Sequence, residues 1–258
     1  MSTPPPRKSL GQHFLADDNI LGVIARLAEL DVRDVALEIG PGLGVLTTLL
    51  AARCAHVHTV EIDRRLERHL RELEAEPNVS LHWGDALRLD LAGLDPAPTK
   101  LVANLPYNVA TPIVAESLDR LPTLDLWCVM VQREVADRFF AVPSTKAYGA
   151  VSVLIQLAAV RTGFHPVSRT VFRPPPNVDS ALVAFRRVTL PESFSEIRRV
   201  VEGAFAHRRK TLANSLQLAG VSTREAAAAA LDGLGLDPSV RAEALAPPVF
   251  VELTRMIT

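Results

Sequence analysis

The chain has 258 residues, 48% of them hydrophobic, and a formal net charge of −1 at pH 7. This length accommodates one large α/β domain with a smaller appendage, and the near-neutral charge argues against a protein that coats nucleic acid indiscriminately. Because no apolar run is long enough to span a membrane, no apolar signal stretch begins the chain, and Cys54 and Cys128 lie in apolar segments, we expect a cytoplasmic protein with buried thiols, no metal and no membrane partner.

Strand and helix patterns alternate along most of the chain, after a proline-rich start at residues 1–10 that we expect to be mobile. A helix is predicted at 16–30, where apolar residues recur at helical spacing behind a capping Asp17 or Asp18. Strands are predicted from apolar runs at 34–40, 56–62, 79–85, 100–106, 124–132 and 179–188. Further helices are predicted at 44–54, 63–73, 110–121, 133–141 and 148–159.

This alternation predicts an α/β fold, in which a Rossmann-like, doubly wound sheet has mainly parallel strands. From about residue 190 the pattern changes, and only helices are predicted, at 195–210, 211–218, 223–234 and 247–257. We therefore expect two domains: a sheet domain over residues 1–189 and a small all-helical C-terminal domain over residues 190–258.

Three glycines follow the first predicted strand of the sheet, in the stretch LEIGPGLGVLT. Gly40, Gly42 and Gly44 place bare backbone and a helix N-terminus where a ligand can approach closely. Their spacing is G-x-G-x-G, whereas a dinucleotide fingerprint requires G-x-G-x-x-G. Taken alone, the cluster could also be an ordinary tight turn between strand and helix.

Two acids follow the next two predicted strands. Glu61 ends one strand, where a carboxylate can accept hydrogen bonds from both hydroxyls of a ribose, and Asp85 ends the other, where it can accept one from an adenine amino group. Each acid could instead be a helix N-cap or a surface residue. Beside the glycine loop, however, the two acids indicate a nucleoside pocket at the carboxyl edge of the sheet. Loop and acids in this order resemble the class I S-adenosylmethionine-dependent methyltransferases, which implies S-adenosylmethionine as the cofactor.

The fourth predicted strand of the sheet ends in an amide, a rigid proline and an aromatic ring, in the stretch NLPY. A polar residue followed by x-Pro-aromatic at this point resembles the catalytic motif of enzymes that methylate exocyclic amino groups. The N6 lone pair of adenine is delocalised into the ring, so the site must accept hydrogen bonds from N6–H. The Asn104 side-chain oxygen and the Leu105 carbonyl can do so, with Pro106 fixing the carbonyl. Tyr107 gives an extracted base a face on which to stack.

Several segments together resemble the ribosomal RNA adenine N6-dimethyltransferases. They are KSLGQHFLADDNIL, LEIGPGLGVLT, VEID, GDAL, NLPYNVATPI, VQREVADRF, YGAVSVLIQ, FRPPPNVDSALV and AFAHRRKTLANSL. The resemblance covers nearly the whole chain and implies dimethylation of two adjacent adenines near the 3′ end of 16S rRNA, in the immature 30S subunit, by a monomeric enzyme.

The same resemblance assigns roles to individual residues. It implies that His13 and Leu15 close over the cofactor. At the position of His13, many relatives carry Asn. Phe172 resembles the second aromatic wall of the target-base pocket. The residues implied to bind the cofactor are Gly40, Gly42, Gly44, Glu61, Asp85 and Asn104.

Basic residues concentrate between residues 161 and 210, a window that contains ten Arg or Lys and four acids. The window therefore has a net charge of +6, and the rest of the chain has a net charge of −7. A solvated helix face explains a charge run taken alone, but an asymmetry of this size favours a polyanionic partner. At its end, Arg208, Arg209 and Lys210 are predicted to lie at a helix end and to grip the ribosomal RNA backbone. The alternative is that they cap the helix and pair with nearby acids.

Three other functions remain open from the sequence. The nearest is the 23S rRNA adenine methyltransferase that confers macrolide resistance, since it shares the fold, the cofactor and an N-L-P-Y-type motif. HRRKTLANSL and RPPPNVDSAL favour the small-subunit enzyme over it. A non-catalytic assembly or transcription factor would bind RNA without turnover, which the intact Asn104–Tyr107 motif argues against. A DNA adenine methyltransferase is the third.

Overall fold

A computed structural model describes residues 5–7 and 10–257 of the chain, so the predicted mobility of residues 1–10 lies largely outside the described residues. The strands are β1 (Phe14–Leu15), β2 (Val35–Ile39), β3 (His56–Glu61), β4 (Val79–Trp83), β5 (Lys100–Asn104), β6 (Leu126–Gln132), β7 (Ala159–Val167), β8 (Phe172–Arg173) and β9 (Ser180–Arg187). The helices are α1 (Asp18–Leu27), α2 (Val45–Ala51), α3 (Glu67–Glu74), α4 (Ala110–Arg120), α5 (Arg133–Phe139), α6 (Ala150–Ala158), α7 (Phe194–Ala206), α8 (Leu212–Leu218), α9 (Arg224–Gly233) and α10 (Pro247–Ile257).

Seven strands form one sheet in the order β4-β3-β2-β5-β6-β9-β7. The strands from β4 to β6 all pair in parallel, and β9 pairs antiparallel with β6. The chain runs outward from β2 to β4 and then returns to begin β5 on the other side of β2. Strand order therefore reverses between β2 and β5, and such a switch point opens a crevice at the carboxyl ends of the strands. The predicted doubly wound, mainly parallel sheet is confirmed.

The central strands are apolar on both faces because helices cover both sides of the sheet. All five residues of β2 are buried, and Leu101, Val102 and Val129 are completely buried. On β6, the buried Trp127 stacks on its cross-strand partner Phe185 of β9, with ring centroids 5.2 Å apart.

The first helix begins where the sequence predicts. The Asp17 side chain caps α1 by accepting a hydrogen bond from the Asn19 backbone N–H at 2.8 Å, so of the two predicted capping residues it is the one used. Ile20 and Ile24 pack into the main core. Just before α1, β1 pairs antiparallel with β8 through Phe14↔Arg173 and Leu15↔Phe172. This short ribbon, which the sequence does not predict, ties the N-terminal segment to the loop before β9.

The sequence pattern does not predict β7 either. It places Ala159 at the end of the preceding helix and residues 160–167 in no helix or strand. Pro166 and Gly163 lie inside β7, and both residues are unfavourable in a central strand. At the sheet edge, however, a proline does not interrupt a ladder on both sides, and β7 is the last strand of the order.

The chain divides into two compact units. The first contains the chain up to Ala136 together with Arg161–Arg187, and the second contains Asp137–Val160 together with the chain from Val188 onward. The chain passes from one unit to the other three times, and the last passage, after Arg187, lies two residues before the predicted boundary at 189. The segment Asp137–Val160, placed in the first domain from sequence, clusters instead with the C-terminal helices because α6 packs against α7 and α10.

The second unit is built around the apolar faces of its helices. The buried residues at its centre include Val151, Ile197, Val201, Leu212, Leu216, Leu231, Phe250 and Leu253. The Tyr148 hydroxyl donates to the Leu245 carbonyl at 2.7 Å, and the Tyr148 ring meets Phe205 edge-on with centroids 5.9 Å apart. The alanine run in α9 is helical, as its high helix propensity predicts.

None of the helices formed by the described residues combines the length and the apolar character that crossing a membrane requires. Over the same part of the chain, no three His, Cys, Asp or Glu side chains form a group that could hold a metal ion. Cys54 and Cys128 are both buried and unpaired, as predicted.

Candidate functional site

A cleft opens at the carboxyl edge of the sheet, beside the point where strand order reverses. It is lined by residues 10–15, by Gly40 and Gly42 of the glycine loop, by Glu61 and by the residues from Asn104 to Tyr107. Gly44, the third predicted glycine, does not line it and lies instead against the Leu73 side chain. A second cavity of about 230 Å³ adjoins it, shares Gly40, Glu61 and Pro106 with it, and reaches Asp85. The structure therefore brings together at one edge Gly40, Glu61 and Asp85 of the predicted nucleoside pocket and the Asn104–Tyr107 motif, but not Phe172.

The glycine loop has a conformation that only glycine adopts without strain. Gly40, Gly42 and Gly44 have φ angles of +78°, +58° and +82°. At Gly42, a Cβ would also lie 2.9 Å from Cδ1 of Phe14. Both the turn and the close approach of residue 14 therefore require glycine, and the loop presents bare backbone to the cleft.

The Glu61 carboxyl group is 4% exposed at the end of β3. Burial raises its pKa, and the backbone N–H groups of Asp63, Gly42 and Ile62 oppose that rise because they stabilise the carboxylate. The Asp63 N–H donates to Glu61 Oε1 at 2.7 Å. These backbone contacts fix the orientation of the side chain.

A second buried carboxyl group, which the sequence analysis did not single out, lies one strand away. Glu38 on β2 is 1% exposed and lines the cleft, and its Oε2 accepts a hydrogen bond from the Thr47 hydroxyl at 2.6 Å. Burial raises its pKa to about 7, so the group titrates near neutral pH. Its signal in the sequence was an acid inside an otherwise apolar strand.

Asp85 has a local structural partner at its predicted position. Its Oδ1 accepts from the Leu87 backbone N–H at 3.0 Å, and its Oδ2 lies 3.5 Å from Arg88 Nε. The side chain therefore caps the turn that follows β4 while also lining the second cavity. Its role toward an adenine stays a prediction.

Asn104, the last residue of β5, is held by the N-terminal segment. Its Nδ2 donates to the His13 carbonyl at 3.1 Å, which leaves the amide oxygen Oδ1 as an acceptor at the cleft. The Leu105 N–H donates to the Met130 carbonyl at 3.1 Å, so the backbone of the motif continues the sheet by one residue. Pro106 packs against Gly40, where a Cβ would lie 3.3 Å from Pro106 Cγ.

Tyr107 is partly buried, with its hydroxyl 2.6 Å from the Ser180 hydroxyl. Burial raises the pKa of the phenol, so the ring is neutral at physiological pH. Ser180 is 1% exposed at the start of β9, and the sequence analysis did not single it out, since a small polar residue at the beginning of a predicted strand is a weak signal. The His13 and Tyr107 ring centroids are 5.3 Å apart with an interplanar angle of 33°.

Phe172 does not line the cleft in this structure. It is 1% exposed and belongs to the main core, where it packs with Ile20, Ile24 and Leu182. It occupies this place because β8 pairs with β1 and directs the ring inward beside Leu15, which is also buried. Its role as an aromatic wall for a base stays a prediction, and that role requires the ring to leave the core.

The basic residues after α7 lie in a turn, because the helix ends at Ala206 rather than at 210. Arg208 Nη2 donates to the Tyr148 carbonyl at 3.0 Å and lies 3.3 Å from Glu243 Oε2. Arg209 and Lys210 are exposed. Arg208 thus pairs with a nearby acid, which was the alternative to RNA binding in the sequence analysis. Arg209 and Lys210 lie exposed beside it.

Comparisons with known proteins identify the group to which this site belongs. The model of the family described as Ribosomal RNA adenine dimethylase matches residues 5–255. The chain belongs to this family. It is 48% identical to the Ribosomal RNA small subunit methyltransferase A of Rubrobacter xylanophilus, over 99% of this chain and 97% of that protein. Membership in the family confirms the resemblance that the N-L-P-Y and glycine-loop motifs indicated.

Two solved structures of related enzymes share the fold. A dimethyladenosine transferase from Plasmodium falciparum superposes with a TM-score of 0.77 at 25% identity, covering 93% of this chain and 96% of that one. The 23S rRNA methyltransferase ErmE superposes with a TM-score of 0.66 at 29% identity, covering 95% and 99%. The predicted class I methyltransferase sheet with C-terminal helices is therefore confirmed, and this family member is an rRNA adenine dimethyltransferase.

Proposed function

We propose that this enzyme uses S-adenosylmethionine to dimethylate the N6 amino groups of two adjacent adenines near the 3′ end of 16S rRNA, in the maturing small subunit. The observation that carries the proposal is the Asn104 side chain: its N–H group is bonded to the His13 carbonyl, so its oxygen is the atom presented at the cleft. The 48% identity to a bacterial small-subunit methyltransferase favours 16S rRNA over other RNA.

The residues at the cleft fit S-adenosylmethionine. Gly40 and Gly42 line the cleft with bare backbone in the left-handed region, so no side chain of this loop stands between a ligand and the main chain. Glu61 offers a buried carboxylate for the ribose hydroxyls, and Asp85 an acid for the adenine amino group. His13 and Leu15 line the same cleft. When bound, S-adenosylmethionine supplies an electrophilic methyl group carried on a sulfonium.

The chain's own residues act on the target base. The Asn104 oxygen and the Leu105 carbonyl accept hydrogen bonds from the N6 amino group, which draws the nitrogen out of conjugation with the ring and makes its lone pair available. Pro106 limits the motion of that carbonyl. Tyr107, whose hydroxyl is anchored to Ser180, holds the extracted base by stacking. A strong general base is unnecessary, because the amino proton becomes acidic once the nitrogen has gained a methyl group.

The substrate is tested by methyl transfer from radiolabelled S-adenosylmethionine. Purified immature 30S particles and protein-free 23S RNA are offered separately to the wild-type enzyme, and we expect incorporation into the 30S particles only. The matched control is Tyr107→Ala, which should incorporate nothing into either. Incorporation into 23S RNA alone would identify an activity of the macrolide-resistance type, and binding without incorporation would identify a non-catalytic assembly factor.

We also propose that the reaction takes place in the cytoplasm. The proposal follows from the substrate, because the relative named as a small-subunit methyltransferase is bacterial, and bacterial ribosomes are assembled in the cytoplasm. That the enzyme acts as a monomer stays a prediction.

The basic turn is proposed to hold the rRNA backbone through Arg209 and Lys210 rather than through Arg208. Replacing both with Ala should weaken binding to the 30S particle and reduce the salt dependence of binding by roughly 0.7 to 0.9 log units for each phosphate that the variant no longer neutralises. Side chains that bind phosphate position the RNA without touching the cofactor, so cofactor affinity should stay unchanged. Binding is measured at several salt concentrations.

Two further variants serve as controls for the basic turn. Arg208→Ala should lower the melting temperature, because it removes the donor to the Tyr148 carbonyl and the partner of Glu243. The pair Arg224→Ala with Arg241→Ala removes the same charge from exposed positions of the same unit. The RNA-binding role is wrong if this control pair flattens the salt dependence as much as the Arg209 and Lys210 pair does.

A further inference from the structure

The N-terminal residues 10–15, which we call the strap, line the cleft together with Glu61. The strap is attached to the first unit on two sides. The His13 carbonyl accepts from Asn104, and β1 pairs with β8. At Gly11, with φ of +63°, a Cβ would lie 3.2 Å from the Tyr107 backbone nitrogen, so the strap runs close over the N-L-P-Y turn. Gln12 makes a third attachment, to Asp63, which lies two residues after Glu61.

Gln12 uses both ends of its amide group. Its Oε1 accepts from the Arg7 backbone N–H at 2.8 Å, and its Nε2 donates to Asp63 Oδ2 at 3.1 Å. The first bond joins Arg7 to the strap, and the second joins the strap to a residue 51 positions later in the chain. One side chain thus fixes the strap to the loop after β3.

Asp63 is an unusual residue to find at this point, because its side chain is a carboxylate that is only 2% exposed. A buried charge is unfavourable unless donors surround it. Arg65 supplies two side-chain donors, with Nε 2.9 Å from Oδ1 and Nη2 2.6 Å from Oδ2, and its backbone N–H supplies a third at 3.2 Å. The Arg65 guanidinium holds the pKa of Asp63 at about 2, with a further contribution from Gln12. The strap is therefore bonded to a permanent, desolvated negative charge.

Asp63 also contacts Glu61, the acid proposed to bind the cofactor ribose. The Asp63 backbone N–H donates to Glu61 Oε1 at 2.7 Å, so Asp63 contacts Glu61 through its main chain and Gln12 through its side chain. Movement of the strap away from the cleft requires the Gln12 bond to break. Movement of Asp63 disturbs the donor that orients Glu61.

We propose that Asp63 is a positioning residue that couples closure of the strap to recognition of the cofactor ribose. The Gln12–Asp63 hydrogen bond, which we call the fastening, makes this coupling. The inference rests on the proposed use of S-adenosylmethionine. The fastening acts on retention of the cofactor and not on the methyl transfer, because the side chains of Gln12 and Asp63 bond to each other, to Arg7 and to Arg65, and to no side chain of the Asn104–Tyr107 motif.

The test measures dissociation of S-adenosylhomocysteine, without RNA, by stopped-flow, together with its affinity by calorimetry. In Gln12→Ala the Asp63 charge loses its only described donor from outside the Asp63–Arg65 pair, and we expect release to be roughly tenfold faster and affinity to fall by a similar factor. Turnover at saturating cofactor and RNA should stay within about twofold of wild type. Asp63→Asn should show the same pattern.

A charge exchange separates positioning from simple structural support. Gln12→Glu keeps the acceptor for the Arg7 N–H but directs a second carboxylate at Asp63, so release should be faster than in Gln12→Ala. Adding Asp63→Asn supplies an amide donor opposite the new carboxylate and should slow release again. This rescue requires the two side chains to act on each other, which independent losses of stability would not produce.

The chain contains a matched control pair. Arg33 Nε lies 2.8 Å from Asp31 Oδ1, with the same Asp-x-Arg spacing as Asp63 and Arg65, but that pair is exposed and does not line the cleft. Asp31→Asn should leave release of S-adenosylhomocysteine unchanged. Melting curves without ligand accompany every variant.

The outcomes of these experiments are distinct. Faster release with rescue by the exchange supports the inference. It is overturned if the Gln12 and Asp63 variants release S-adenosylhomocysteine as slowly as wild type, whatever their melting temperatures, or if turnover falls while release is unchanged. A wild-type protein that binds neither S-adenosylhomocysteine nor S-adenosylmethionine overturns the proposed function itself, and the inference with it.

Discussion

Asn104→Ala and Tyr107→Ala are each expected to lower the methylation rate at saturating substrates by at least about 100-fold, the usual cost of removing one group that stabilises the transition state. Asn104→Ala removes the oxygen that accepts from N6–H, and Tyr107→Ala removes the ring on which the base stacks. Asn104 also anchors the strap through the His13 carbonyl, so its replacement should weaken cofactor binding as well. Initial rates of methyl transfer to the best RNA substrate provide the measurement.

The matched variant for this prediction is Tyr107→Phe. It keeps the ring but removes the hydroxyl that bonds to Ser180, so it should retain far more activity than Tyr107→Ala if stacking is the role of the residue. Melting curves should show that both alanine variants remain folded, since neither residue belongs to the buried core. Near wild-type methylation by either alanine variant would show that the motif does not act on the base.

Glu61→Ala is expected to weaken cofactor binding by about 2 to 4 kcal/mol, because two charge-assisted hydrogen bonds to the ribose are removed. That range corresponds to roughly 30-fold to 1,000-fold in the dissociation constant. Calorimetry with S-adenosylhomocysteine measures it directly. Glu61→Gln keeps an acceptor for the Asp63 N–H but lacks the charge, so its loss of affinity should be intermediate.

Stability gives the control for Glu61. Burial raises the pKa of this carboxyl group, so its charged form lowers the free energy of unfolding. This loss of stability is fully present at pH values above the pKa of the folded state. Glu61→Ala removes this penalty but also leaves the Asp63 N–H without its acceptor, so the free energy of unfolding of the ligand-free protein at pH 8 is measured beside the affinity. Glu72→Ala, on the exposed face of α3, should change neither quantity. An unchanged affinity in Glu61→Ala would rule out the ribose role.

Most of the sheet was predictable because strands β2 to β6 are short apolar runs that end beside a glycine or a polar residue. Each of β2 to β6 is recognisable without knowing its neighbours, and parallel pairing then brings Gly40, Glu61 and Asn104 to one edge. The strap and its fastening were not predictable in this way. The Gln12–Asp63 bond joins residues 51 positions apart, and neither residue belongs to a periodic pattern.

Two individual residues show where reasoning from sequence reached its limit. From sequence, Phe172 resembles an aromatic wall of the target-base pocket, yet it lies buried in the core, where β1 pairs with β8. From sequence, Arg208 has the same predicted role as Arg209 and Lys210, yet its guanidinium, although exposed, bonds to the Tyr148 carbonyl and lies near Glu243. In both cases a partner distant in sequence decides the role, and local composition carries no information about it.

The division of the chain into discontinuous units has a consequence for its synthesis. The helix α6 belongs to the second unit, but its partners α7 and α10 emerge from the ribosome only after Arg161–Arg187 has been made. Until then α6, whose buried apolar residues include Val151, Leu154 and Ile155, lacks both of these partner helices. A chain cut before Val188 never acquires them, so such a fragment is a candidate for aggregation rather than a smaller working enzyme.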